Sequence, residues 1–71
     1  MAETVKSAPS IIRRRAVEAR TGLSRSTIYQ RIKDGTFPPQ ISLGAKAVGW
    51  LQNEIEDWIA ERVRRSRGTG A

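Results

Sequence analysis

The chain has 71 residues, with 13 Lys plus Arg against 7 Asp plus Glu and neither Cys nor His. That length admits one small domain, and the composition excludes disulfides, thiolate metal sites, imidazole ligands and a histidine general base. The formal charge of +6 suits a polyanionic partner, and it is uneven: residues 1–36 carry eight basic and three acidic groups, residues 37–71 five and four.

Residues 1–10 show no periodicity and are predicted to be a disordered lead-in. Ile11 and Ile12 form a short extended stretch that anchors the first helix. That helix is expected over residues 13–20, with Ala16 and Val17 turned toward the core and Arg14, Arg15 and Glu18 more exposed. It closes at Thr21 and Gly22, because glycine takes left-handed backbone angles at little steric cost.

The second helix is predicted over residues 24–34. Ser24 is a suitable N-cap, its hydroxyl accepting a backbone N–H that otherwise lacks a partner. Gly35 follows the last turn, and Pro38-Pro39 cannot continue a helix. At ~100° per residue, Ile28 and Ile32 fall on one inner side, with Leu23 entering beside them. Ser26, Tyr29, Gln30 and Lys33 point outward, and Arg25 flanks them in the first turn. This is the layout of a helix-turn-helix whose second helix enters a DNA groove.

Residues 40–43 and 47–51 read as two strands joined by the three-residue turn 44–46, with Gly49 weakening the second strand or marking a bulge. Such a hairpin beside a helix-turn-helix is a wing. A last helix is expected from about Asn53, where Asn53 and Glu56 resemble a capping box. Leu51, Ile55, Trp58, Ile59 and Val63 then give it one packed side. Residues 66–71 are expected to fray. The predicted class is therefore α+β, mainly α: a winged helix-turn-helix of three helices and a two-stranded hairpin over residues 11–65.

The outward side of the second helix supplies the candidate base contacts, Arg25, Ser26, Tyr29 and Gln30. Arg pairs in bidentate fashion with guanine, and Gln can do so with adenine. For Arg25 the rival role is a phosphate clamp; for Tyr29 it is packing against the wing. The phosphate set is Arg13, Arg14, Arg15, Thr27, Arg31, Lys33 and Lys46, which position the protein rather than specify sequence. Thr27 has a rival task in capping the helix, which its place favours. Trp50 and Trp58 read as core rather than as stacking platforms, since Trp58 lies at helical spacing from Ile55. The arginines after position 61 suit either a helix C-terminus or DNA.

The stretches Thr21-Gly22-Leu23-Ser24-Arg25-Ser26-Thr27-Ile28-Tyr29, Gly35-Thr36-Phe37-Pro38-Pro39, Ile41-Ser42-Leu43-Gly44 and Val48-Gly49-Trp50, followed by Glu54-Ile55 and Trp58-Ile59, occur in series. In this order the chain resembles the AlpA-like prophage regulators and related small excisionases, whose winged helix is similar to the DNA-binding part of MerR regulators. That resemblance implies a site-specific DNA-binding protein of phage or mobile-element origin. It leaves two outcomes open, a transcription regulator and an excisionase that binds attachment-site DNA. Lys46 and Ala47 stand where that family commonly has Arg in the wing turn.

The partners expected are double-stranded DNA, further copies on repeated sites, and an integrase or RNA polymerase. No nucleophile–base pair or metal cluster is spelled out, so catalytic residues, a metal, a cofactor and a small-molecule ligand are not expected. No apolar run reaches the ~20 residues of a membrane span and no signal peptide is visible, which predicts a bacterial cytoplasmic, nucleoid-associated chain. An adaptor would need a large exposed apolar patch, and an RNA reader exposed aromatics; the outward positions offer neither beyond Tyr29.

Overall fold

A computed structural model describes residues 9–68. Residues 1–8 of the predicted lead-in and residues 69–71 of the predicted tail lie outside them. The elements in chain order are β1 (Ile11–Ile12), α1 (Arg14–Thr21), α2 (Arg25–Asp34), β2 (Ile41–Gly44), β3 (Ala47–Leu51) and α3 (Gln52–Gly68).

The expected two-stranded hairpin is a three-stranded antiparallel sheet in the order β1-β3-β2. Ile11 pairs with Leu51 and Ile12 with Trp50. Two residues are too few to display alternation, so the strand is invisible until its partner is placed. Gly49 makes room for it: a Cβ there would stand 2.5 Å from Ile11 Cγ2 and 3.1 Å from the Ile12 carbonyl oxygen. The glycine is thus a point of close backbone approach, not a bulge. The irregularity falls in β2 instead, where Ser42 faces Val48 and Gly44 faces Ala47, leaving Leu43 as the extra residue. The connecting turn is correspondingly two residues, Ala45 and Lys46, rather than three. Gly49→Ala is expected to destabilise by about 1–3 kcal/mol through overpacking. That corresponds to roughly 4–8 °C in Tm per kcal/mol for a domain of this size, and an unchanged melt would mean that β1 yields freely.

Val17, Ile28, Phe37, Trp50 and Ile55 form the buried core, drawing on all three helices, the α2–β2 loop and the central strand. Ile12, Leu23, Ile32, Val48, Trp58 and Ile59 pack around it. Two details of α3 differ from expectation. The helix starts at Gln52, so Asn53 lies inside its first turn and no capping box forms; the Gln52 N–H donates to the Ser10 carbonyl at 2.7 Å instead. The packed side also ends early. Leu51 closes β3, Val63 is 43% exposed, and the helix continues through residues 66–68. The globular body is too small to cover a helix of 17 residues along its whole length.

Candidate nucleic-acid interface

The turn between α1 and α2 is built by three side chains or backbone groups acting in sequence. Gly22, at φ 75°, ends α1 and donates its N–H to the Glu18 carbonyl at 2.8 Å. Thr21 Oγ1 donates back to the Val17 carbonyl at 2.8 Å and accepts the Leu23 N–H at 3.2 Å. Ser24 then caps α2, accepting the Thr27 N–H at 3.2 Å, while its hydroxyl lies 3.0 Å from that of Thr27. Thr27 is therefore engaged in the cap, as its place in the first turn favoured. Thr21 was not singled out from the sequence; a Thr four residues after a helical carbonyl, beside a Gly, is the signal.

With its start fixed in this way, α2 exposes Arg25, Ser26, Gln30 and Lys33 on one side. Gln30 is held loosely toward Asp34, one turn on, at 3.5 Å. Tyr29 is half-buried. Its ring meets Trp50 at 6.4 Å between centroids, tilted by 59°, and carries the Arg25 guanidinium 5.9 Å from its centre. Arg25, Tyr29 and Trp50 thus form a column from surface to core, with the cation over the aromatic face. If the ring serves as a platform for Arg25, Tyr29→Phe is expected to keep duplex affinity within about twofold, whereas Tyr29→Leu loses the cation–π attraction of roughly 0.5–1 kcal/mol. A large loss in Tyr29→Phe, measured by anisotropy, would instead assign the hydroxyl a direct contact.

Both indoles hold the segment between α2 and the wing. Trp50 Nε1 donates to the Pro38 carbonyl at 3.0 Å, and Trp58 Nε1 to the Thr36 carbonyl at 2.8 Å. Phe37 sits between them, edge-on to Trp58 with centroids 4.9 Å apart. The angle at which the hairpin leaves α2 is thereby fixed, and the hairpin tip carries Lys46 exposed. On the other flank, Arg13 Nε donates to the Val48 carbonyl at 3.0 Å, tying the start of α1 to β3.

The structure does not bring the whole phosphate set together. Arg31 stands three residues beyond Ile28 and turns inward: it is half-buried, and its Nε is buried without a hydrogen-bond partner. Arg14 is half-buried and ion-paired with Glu18, while Arg15 is exposed. At the far end of α3, Arg64 and Arg65 pair with Glu61, and the hydrogen bond from Arg64 holds the Glu61 carboxyl below its ordinary pKa. Arg62 lies over the Trp58 ring at 5.1 Å. Among the described residues no group of three or more His, Cys, Asp or Glu could hold a metal ion, and no helix is long and apolar enough to cross a membrane.

Residues 10–63 match the model of the family described as prophage CP4-57 regulatory protein (AlpA). An uncharacterized protein, ORF88, of Enterobacteria phage P4 is 57% identical over 51 residues, a match that covers 70% of this chain and 58% of that protein. The DNA-binding transcriptional activator AlpA of Escherichia coli K12 is 40% identical over 65 residues, covering 83% of this chain and 93% of the activator. The chain spans a little over half of the phage relative but nearly all of the K12 one. The chain belongs to the prophage CP4-57 regulatory protein (AlpA) family.

Proposed function

We propose that the protein is a sequence-specific double-stranded DNA-binding regulator that places α2 in the major groove. The observation that carries this reading is the exposed row of Arg25, Ser26, Gln30 and Lys33 on a helix whose ends and whose junction with the wing are fixed. Arg25, with its fork of donors, addresses a guanine edge, and Gln30 an adenine edge. Ser26 adds a hydroxyl at either base or phosphate. Tyr29 supports Arg25 and presents its own hydroxyl at the margin. Lys33, Arg13, Arg15 and the exposed Lys46 of the wing neutralise phosphate; Arg14 contributes less because Glu18 already satisfies it. Thr27 serves the cap, and Arg31 is left out of the contact set.

Rigid placement of helix and wing lowers the ordering cost of binding, which in so small a module matters as much as the number of contacts. A single module still gives modest specificity, so several copies on repeated sites are part of the proposal. Activation of transcription is preferred over excision, in line with the name of the K12 relative, and RNA polymerase is then the protein partner. The setting is the bacterial cytoplasm, on the nucleoid.

The test is duplex affinity as a function of salt. Log affinity should fall linearly with log salt, with a slope of about −0.9 per phosphate neutralised. Lys33→Ala and Lys46→Ala should each make the slope shallower by roughly one such contact. A slope near zero, or identical slopes for wild type and both variants, would remove the proposed surface.

A further inference from the structure

Beside the reading surface lies a concavity of about 320 Å³ that none of its residues lines. Three arginines from three helices border it: Arg20 of α1, Arg31 of α2 and Arg62 of α3. Its floor is apolar, made by Leu23, Trp58 and Ile59. Among the described residues no acidic side chain lines it. Arg20 reaches Glu56 only at 3.6 Å, while no carboxylate among them pairs with Arg31 or Arg62. Among the described residues, the Arg31 Nε is the single buried side-chain polar atom left without a partner.

This combination is costly for the isolated chain. Like charges are gathered beside an apolar lining, and a buried donor goes unsatisfied at a desolvation cost. Glu54, Asp57 and Glu61 of α3 line the adjoining groove, which shares Arg31, Trp58 and Arg62, yet none of the three acids lines this concavity. An anion supplied from outside would relieve both costs. A sugar–phosphate strand would answer the charge but would leave the indole, Leu23 and Ile59 facing a polar backbone. A carboxylate-bearing segment with an apolar side chain would answer both. Val63, exposed on the rim, extends the apolar strip for such a segment.

We propose that this concavity is a docking site for an acidic segment of a partner protein, in which carboxylates engage Arg20, Arg31 and Arg62 and one large apolar side chain rests on Leu23, Ile59 and Val63, beside the Trp58 ring that Arg62 covers. The site is separate from the DNA-reading surface, so a partner and a duplex can be held together. The role does not depend on the outcome for DNA.

The test uses the full chain and a fluorescein-labelled synthetic peptide with Asp and Glu residues flanking a Phe-Leu pair, followed by anisotropy. A second peptide replaces every acidic residue by its amide, and an unlabelled duplex serves as competitor. The acidic peptide should bind wild type at least about tenfold more tightly than the amide peptide, and Arg62→Glu should weaken it by at least about tenfold. Val63→Glu, at an exposed position, should weaken it as well; duplex affinity should be unchanged in both variants, and melts should stay within roughly 4–8 °C of wild type, the scale of one lost cation–π contact. Absence of peptide binding, equal binding of the two peptides, or equal binding by wild type and Arg62→Glu would overturn the proposal. So would displacement of the peptide by the duplex together with weaker duplex binding in Arg62→Glu, which would give the arginines to DNA.

Discussion

Trp50→Ala is expected to leave the fold only marginally stable at room temperature and to lower its melting temperature sharply. The indole is fully buried, packs against Tyr29, and is bonded through Nε1 to the Pro38 carbonyl. It also sits in the central strand, opposite Ile12 of β1. Truncating a buried aromatic to Ala costs about 3–5 kcal/mol through lost burial and the cavity left behind. Small domains lie near the lower end of the roughly 5–15 kcal/mol range of native stability. One substitution therefore consumes most of the margin. Trp50→Phe keeps much of the burial but leaves the Pro38 carbonyl without its indole donor, and it should melt between wild type and Trp50→Ala. A cooperative melt of Trp50→Ala close to that of wild type, followed by far-ultraviolet circular dichroism, would mean that the core is not centred on this residue.

Arg25→Ala is expected to cost about 1–3 kcal/mol on a duplex containing the preferred site, and to relax the preference at one base pair. The side chain is exposed, so folding should lose no more than its cation–π contact with Tyr29, roughly 0.5–1 kcal/mol. Lys33→Ala should weaken all duplexes to a similar degree, because a phosphate contact carries no sequence information. The comparison between the two is more telling than either alone. If Arg25→Ala weakened specific and random duplexes alike, Arg25 would belong with the phosphate contacts.

The two helices of the helix-turn-helix were legible because their ends are chemically marked. Ser24 bonds the first turn of α2, and glycines follow both helices with positive φ, 75° at Gly22 and 81° at Gly35. The inner side of α2 was legible from Ile28 and Ile32. What stayed hidden depends on long-range placement. β1 has two residues and acquires meaning only beside Leu51 and Trp50. Gly49 looked like a weak point in a strand because its neighbour, Ile11, is 38 positions away in the chain. Arg31 was assigned to phosphate by charge, whereas its position one turn from Ile28 turns it toward the concavity bordered by α3. The capping box at Asn53 failed because β3 runs directly into α3, and the Ser10 carbonyl takes the Gln52 N–H. The exposure of Arg25, Ser26 and Gln30 on α2 was legible by spacing; the column that links Arg25 through Tyr29 to Trp50 was not, since it needs the sheet packed under the helix.

Selection of duplexes from a random-sequence pool by the wild-type chain tests sequence-specific reading by α2 most directly. The result expected is a single short enriched motif containing a guanine whose enrichment disappears when the selection is repeated with Arg25→Ala. A pool that stays random under wild type, or a motif unaltered by Arg25→Ala, would contradict it.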